Sequence, residues 1–278
     1  MIDGLVVVDK PAGWTSHDIV AKCRGIFGQR RIGHSGTLDP DATGVLLVGL
    51  GKATRLLRFL TDLPKTYTGE VVFGTETSTL DASGEVTATH EMHVTEADVA
   101  AAARTLTGRI QQVPPMVSAV KVGGRRLHEL AREGIEVERD AREVEVYRFD
   151  VAATEDPLVY AVEVECSSGT YIRTLAADAG HALGGGAHLR NLRRTAIGSF
   201  TLAEAHGLDG LELLTPAQAM RDYPNMTLDP AAVANGKVLE LDLAGPVAVL
   251  DPDGALLAVY EPHRTPGLAK PAVVLSGS

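Results

Sequence analysis

The sequence contains little cysteine and few aromatic residues. Among 278 residues there are two cysteines, and Phe, Trp and Tyr together make up 4% of the chain. Cys23 and Cys166 are too few and too isolated to form the disulfide framework of a small secreted domain, so they favour a reducing compartment. A chain of this length buries a sufficient core without such crosslinks. We therefore expect a globular protein of the cytoplasm.

Long hydrophobic runs are also missing. No apolar run approaches the roughly 20 residues that a membrane-spanning helix needs. Residues 1–9, MIDGLVVVD, have no cationic leader and are typical of a strand, so we expect no export signal. The sequence thus gives no indication of a membrane partner.

The net charge of −10 argues at first sight against a nucleic-acid partner. The acidity is concentrated in residues 201–278, which hold ten acidic and four basic side chains. Because salt screens charges beyond about 8–10 Å, a phosphate responds to local rather than total charge. Short basic clusters occur at Arg30-Arg31, Lys52/Arg55/Arg58, Lys121/Arg125/Arg126 and Arg190/Arg193/Arg194. Each is either a phosphate contact or an ordinary solvated surface.

Strand and helix patterns alternate without a regular βαβ repeat, which predicts an α+β fold with a mixed sheet. Ser16 is predicted to cap a helix that Gly28 ends, and Thr95 to cap another. The predicted strands are Gly4–Lys10, Gly44–Leu50, Thr66–Gly74, Val144–Val151 and Leu158–Cys166.

Prolines near residue 225 indicate a domain boundary. We interpret 1–220 as one large domain and 225–278 as a small β-rich domain with a hairpin around Asp251-Pro-Asp-Gly254. An insertion is predicted at about 115–145, because its second half is rich in charge and has only one short helical pattern.

The segment Gly33–Gly44, GHSGTLDPDATG, has the highest density of polar and turn-forming residues. Asp39 precedes a proline, which keeps it extended and away from local helix bonding. A loop anchored at both ends can hold such a side chain in one geometry for chemistry. The alternative is a tight turn in which Asp39 or Asp41 only accepts bonds from backbone amides.

Six segments along residues 4–200 resemble the bacterial tRNA pseudouridine synthase B family. One is the loop just described, extended to Leu46, and the five others agree in order and spacing. They are Asp9-Lys-Pro-x-Gly13, Lys65-Thr-Tyr67, Pro114-Pro-Met-x-Ser-Ala-x-Lys121, Ser168-Gly-Thr-Tyr-Ile-Arg-Thr-Leu175 and Gly186-Ala-His-Leu-x-x-Leu-Arg-Arg194. The resemblance implies a largely antiparallel sheet flanked by helices and loops, a thumb-like insertion, and a C-terminal domain where relatives carry a PUA-type module. Because this domain is short and acidic here, we do not expect it to bind RNA strongly.

The resemblance also implies the reaction: uridine at position 55 in the T-loop of tRNA becomes pseudouridine. The base leaves its ribose and rejoins through carbon, which requires no cofactor, and a carboxylate can add covalently and leave again. By resemblance Asp39 is this nucleophile and Arg173 is its ion-pair partner. The sequence leaves open whether Asp39 attacks the sugar or the base, or promotes elimination.

The remaining roles come from the same resemblance. Tyr67 stacks on the flipped base and assists catalysis, and His34 fills the place that the base vacates. The other substrate contacts are Tyr171 and Leu192 in the pocket, together with Lys10 and Lys121. The implied partner is the tRNA T-stem-loop, bound by a monomer, and no histidine has cysteine partners at the spacing of a zinc site.

The sequence allows three alternative functions to be stated. A P-loop at Gly49–Thr54 fails on spacing, because Leu46 stands where the first glycine belongs and Ala53 replaces the magnesium-binding hydroxyl. A non-catalytic RNA-binding or RNA-folding protein would not need Asp39. A pseudouridine synthase that acts on other RNAs remains the closest alternative.

Overall fold

The computed structural model describes residues 2–118, 121–127, 130, 133–135, 137–233 and 236–275. The chain divides into two compact units, each built from more than one segment. Unit 1 consists of Met1–Pro40, Gly44–Asp62 and Ile197–Ser278, and unit 2 of Asp41–Thr43 and Leu63–Ala196.

Strands dominate the secondary structure. They are β1 (Gly4–Lys10), β2 (Ile32–Ser35), β3 (Thr43–Leu50), β4 (Lys65–Phe73), β5 (Thr75–Thr77), β6 (Val86–Thr89), β7 (Gly108–Gln112), β8 (Lys121–Val122), β9 (Arg125–Arg126), β10 (Arg142–Ala153), β11 (Val159–Cys166), β12 (Ala187–Ile197), β13 (Phe200–Thr201), β14 (Asn225–Thr227), β15 (Val247–Leu250), β16 (Leu256–Pro262) and β17 (Ala269–Val274).

The helices are short by comparison. They are α1 (Ser16–Phe27), α2 (Leu57–Asp62), α3 (Glu96–Thr105), α4 (Ile172–Ala182), α5 (Pro216–Ala219) and α6 (Pro230–Val233), with 3-10 turns at Gly51–Arg55 and Leu202–Glu204. Among the described helices, none has both the length and the apolar character needed to cross a membrane.

In unit 1, β3 pairs in antiparallel fashion with both β1 and β2. Strand β3 is buried along nearly its whole length, which explains why its sequence is a continuous apolar run rather than an alternating pattern. Helix α1 packs on this layer, and the shared core consists of Val6, Val8, Ile19, Val20, Cys23, Ile32, Leu46, Val48 and Leu50.

The N-terminus of α1 corrects one prediction. Thr15, not Ser16, caps the helix: its side chain accepts from the Asp18 N–H while the Asp18 carboxylate accepts from the Thr15 N–H. This reciprocal capping box satisfies two donors that a helix end leaves unpaired. Gly28 ends the helix in the left-handed conformation (φ 60°), as predicted.

The C-terminal part of unit 1 contains a separate four-stranded sheet in the order β14-β15-β16-β17. Strands β15 and β16 form the hairpin predicted around residues 251–254. A basic stretch of the same unit contacts this sheet: Lys52 Nζ donates to Leu275 O (3.2 Å) and Arg55 Nη1 to Val274 O (2.7 Å). Arg58 pairs with Glu261 at 2.5 Å. The side chains of the cluster Lys52/Arg55/Arg58 therefore bind groups of the protein itself. This also argues against a P-loop at Gly49–Thr54.

In unit 2 the sheet runs in the order β12-β4-β11-β10-β7. The pairs β4–β11, β10–β11 and β7–β10 are all antiparallel. Helix α3, capped by Thr95 as predicted, packs against β10 and α4. The predicted α+β fold with a largely antiparallel sheet is confirmed.

The predicted insertion lies in unit 2. Its described part includes a short antiparallel hairpin of β8 and β9, with Arg125 pairing Glu133 at 2.5 Å. Within 125–143, where one short helical pattern is predicted, residues 128–129, 131–132 and 136 lie outside the described part of the chain. The predicted boundaries 1–220, 115–145 and 225–278 stay predictions.

Candidate active site

Asp39 lies in the connection between β2 and β3. The polar segment predicted as one loop instead begins inside strand β2, because Gly33 and His34 pair with Gly49 and Val48 of β3. A four-residue strand that contains glycine and histidine shows no clear alternation of apolar and polar residues, so the sequence pattern does not predict it. In the remaining loop Asp39 is half-buried.

The Asp39 loop is held from both sides within unit 1. Ser16 Oγ accepts from the Leu38 N–H at 3.0 Å and lies 3.2 Å from Leu38 O, while Leu38 itself is 4% exposed. On the other side of Asp39, Pro40 O accepts from the Gly13 N–H at 3.0 Å. Both neighbours of Asp39 are thus fixed by residues of the segment 10–16.

Lys10 completes this arrangement. Its side chain is fully buried, and its ammonium donates to the carbonyls of Pro11 (2.9 Å), Trp14 (2.6 Å) and Pro40 (2.9 Å). A buried ammonium is tolerated where its donors are satisfied, and here they tie two loops to one nitrogen. The role predicted for Lys10, contact with substrate, stays a prediction beside this structural role.

His34 extends from β2 toward α1. Its ring stands edge-on to that of His17, with centroids 5.3 Å apart and planes at 81°. Such an edge-to-face contact restricts the orientation of the His34 ring. The predicted substrate contact of His34 stays a prediction.

Arg173 sits in the first turn of α4 in unit 2 and is 4% exposed. Its two terminal nitrogens diverge: Nη1 donates to Thr79 O at 2.8 Å and Nη2 to Val117 O at 2.9 Å. Asp81 Oδ2 lies 3.4 Å from Nη1. The planar fork is therefore used to fix one orientation. Asp39 belongs to unit 1, and its predicted pairing with Arg173 stays a prediction.

Tyr171, directly before α4, is held by a residue that the sequence analysis did not identify. The Gln112 side chain, 2% exposed, accepts from the Tyr171 N–H (2.7 Å) and donates to Tyr171 O (3.1 Å). Tyr171 provides no side-chain cap, and the Gln112 amide instead fixes the backbone of this N-cap residue itself. No local pattern identifies a partner 59 residues away.

Tyr67 and Leu192 lie on β4 and β12 of the same sheet. Tyr67 is 9% exposed, and the guanidinium of the buried Arg194 lies 6.0 Å from its ring centroid, within cation–π range. Leu192 follows Asn191, which adopts a left-handed φ of 55° and donates to Glu70 at 3.0 Å. Asn tolerates this conformation better than most residues.

Lys121 belongs to β8, and its side chain lies outside the described part.

A carboxylate–imidazole cluster lies near the C-terminal end of α4. Glu76 Oε1 is 2.8 Å from His90 Nε2 and 3.5 Å from His181 Nε2. On the same helix, burial raises the pKa of Asp178 above its usual range, an effect that His181 opposes. Among the described residues, no group of three or more His, Cys, Asp or Glu side chains is arranged to hold a metal ion.

Comparisons with known proteins identify the family of the chain. The family profile described as "TruB family pseudouridylate synthase (N terminal domain)" matches residues 24–172, more than half of the chain. The chain belongs to the TruB family. It is an enzyme that isomerises uridine to pseudouridine in tRNA. A second profile, "tRNA pseudouridylate synthase B C-terminal domain", matches residues 173–231.

Similar proteins and similar solved structures support the assignment of this chain to the TruB family. Proteins named tRNA pseudouridine synthase B match from Mycobacteroides abscessus (49% identical, covering 92% of this chain and 91% of the relative) and Thermobifida fusca (47%, 100% of both). Among solved structures, a Cbf5-Nop10-Gar1 complex has a chain 27% identical with a TM-score of 0.74, covering 96% of this chain and 83% of that one. An H/ACA RNP bound to a substrate RNA containing 2'-deoxyuridine has a chain 25% identical with the same TM-score, covering 99% and 85%.

Proposed function

We propose that this enzyme modifies uridine 55 in the T-loop of tRNA, with Asp39 as the nucleophile and without a cofactor. Membership of the TruB family is the observation that carries the proposal. The fixed loop around Asp39 supports it, because a nucleophile must be held in its reactive geometry before the substrate arrives.

The carboxylate needs help to remain ionised against a nucleobase. A free aspartic acid with a pKa of ~3.9 is almost fully ionised at neutral pH. Covering it with an uncharged base removes water and can raise that pKa by up to ~3–5 units. In the proposed mechanism the Arg173 guanidinium opposes this rise and keeps Asp39 charged.

The target base must also leave the stack of its RNA stem-loop. Turning it out costs a few kcal/mol, and stacking on one aromatic ring returns about 1–3 kcal/mol. We assign that ring to Tyr67, whose burial and Arg194 contact support a fixed orientation. Tyr171 and Leu192 would form the walls of the base pocket, and His34 would occupy the space that the base vacates.

The wider substrate contact belongs to the same proposal. The insertion at about 115–145, with Lys121, would close on the T-stem-loop, and its basic side chains suit the phosphate backbone. A monomer is sufficient for this arrangement. A cytoplasmic location follows from the substrate, because tRNA is matured and used in that compartment.

The decisive experiment uses an unmodified tRNA transcript and isolated T-arm RNA. Pseudouridine is mapped after incubation with wild-type enzyme, Asp39→Asn and Asp41→Asn. We expect modification of position 55 by the wild type, loss of more than about 10³-fold of the rate in Asp39→Asn, and little change in Asp41→Asn. Asp41 is a suitable control because it is an exposed carboxylate of the same loop.

The same experiment separates the alternatives. Pseudouridine at another position, or in other RNAs but not in the T-arm, would assign a different substrate. A fully active Asp39→Asn variant would refute the role of Asp39 as the nucleophile. RNA binding by Asp39→Asn should persist and weaken as salt rises, because phosphate contacts release counterions.

A further inference from the structure

Trp14 is the single tryptophan of the chain, and 37% of its surface is exposed. It lies in the loop 11–15, which is exposed throughout, between β1 and α1. Aromatic side chains are scarce in this protein, and indoles are usually well buried in folded proteins. An exposed indole therefore needs an explanation.

The backbone of Trp14 is fixed to the Asp39 loop. The buried Lys10 ammonium donates to both Trp14 O (2.6 Å) and Pro40 O (2.9 Å), and the Gly13 N–H donates to Pro40 O as well. On the other side, Thr15 is held in the capping box of α1. Trp14 thus keeps a constant position beside the residue that follows Asp39.

A purely structural role accounts for only part of this side chain. Trp14 precedes the N-cap Thr15, and a hydrophobic residue at that position commonly packs against the fourth helical residue, here the buried Ile19. An aliphatic side chain would serve this packing equally well. The exposed part of the indole has no such use, whereas it offers a flat apolar surface at the rim of the loop.

We propose that Trp14 stacks on a nucleobase of the bound RNA and so positions the substrate over the Asp39 loop. An RNA-modifying enzyme meets unpaired bases in loops, and stacking on aromatic rings is the main way proteins hold them. This inference rests on the proposed function, because it takes Asp39 to be the reacting group. Trp14 binds substrate and takes no part in bond making.

The single tryptophan makes the test direct. Intrinsic fluorescence of wild-type enzyme is titrated with unmodified tRNA, alongside the double variant Trp14→Phe/Ile26→Trp. The latter moves the only indole to another exposed position, near the far end of α1 and about 15 Å along its axis. Stacking predicts saturable quenching in the wild type and little change in the double variant. Equal quenching in both would overturn the proposal.

Affinity and turnover provide the second readout. We expect Trp14→Ala and Trp14→Leu to raise the Kd for tRNA about 5- to 100-fold, the range that stacking of one base supports, and Trp14→Phe to lose much less. Single-turnover rates at saturating RNA separate this loss of binding from any loss in the chemical step. Trp14→Leu keeps an apolar side chain at the position before the N-cap, so a normal Kd in that variant would leave only the structural role.

The control Ile26→Ala removes an exposed apolar side chain from α1, away from the loop of Trp14, and should leave the Kd for tRNA unchanged. Thermal unfolding of each variant identifies any that fails to fold. Failure of the proposed function looks different, because wild-type enzyme would then leave uridine 55 unmodified. If it modifies uridine 55 while Trp14→Leu binds normally, only the stacking inference is wrong.

Discussion

At the scale of single residues, the two diverging bonds of the Arg173 guanidinium predict that lysine cannot replace it. A lysine ammonium is a single, shorter-reaching donor that cannot span Thr79 O and Val117 O with fixed geometry. We expect Arg173→Lys to bind tRNA within about threefold of wild type and to lose at least about 100-fold in single-turnover rate. Arg148→Lys, at a partly exposed ion pair on β10, is the control. Near-wild-type turnover in Arg173→Lys would contradict the prediction.

Lys10 supports a second residue-scale prediction, which separates its two roles. If the ammonium holds the loops, Lys10→Met should lower the melting temperature by several degrees and slow turnover, because three hydrogen bonds to backbone carbonyls are lost. The salt dependence of tRNA binding should keep its slope. A slope reduced by about one would indicate a lost phosphate contact and favour the substrate role instead.

At the scale of elements, the start of α4 depends on the Gln112 amide. Gln112→Leu removes the acceptor of the Tyr171 N–H beside a buried side chain, which costs about 1–3 kcal/mol, while Tyr171 O keeps the Leu175 N–H as a donor. We expect a lower free energy of unfolding together with slower turnover, since Arg173 follows two residues later. The adjacent, exposed Gln111→Leu is the matched control and should change neither quantity. Slower turnover without any loss of stability would argue against this positioning role.

Elements with strong local signals were predictable, and those that depend on distant partners were not. The buried run of β3, the alternation of β11 and the Thr95 capping box follow from residues next to one another. The Thr15 capping box has the same local spacing, with Asp18 three residues on, whereas the bond between Ser16 and Leu38 depends on a distant residue.

At the scale of the whole molecule, the same distinction between local signals and distant partners applies to the candidate site residues. Asp39, Tyr67 and Arg173 could be predicted as site residues because each stands in a contiguous motif that resembles the family, and their roles stay predictions. Gln112 and Asp81 could not, because they act on residues 59 and 92 positions away, and nothing in their own neighbourhoods predicts it. Similarly, the basic side chains of Lys52 and Arg55 resemble a phosphate site in sequence, but they hold the carbonyls of Leu275 and Val274.

The two cysteines report on the two units separately, because Cys23 lies in unit 1 and Cys166 in unit 2. Burial raises the pKa of each thiol to about 11. Since the thiolate is the reactive form, we expect neither to react with a disulfide reagent at pH 8 in the native protein, and both to react in denaturant. The variants Cys23→Ala and Cys166→Ala assign the signals. Rapid labelling of either cysteine without denaturant would show that its unit opens.

The raised thiol pKa values also fix the sign of a pH dependence. In the unfolded chain each thiol loses its proton near pH 9, whereas in the folded chain it keeps the proton until about pH 11. Between these values the unfolded state binds fewer protons, so stability is complete below pH 9 and falls as pH rises toward 11. Urea midpoints at pH 8, 9 and 10 measure this loss. It should shrink in Cys23→Ala/Cys166→Ala, because that variant removes the two titrating groups, and an unchanged loss would assign the effect to other residues.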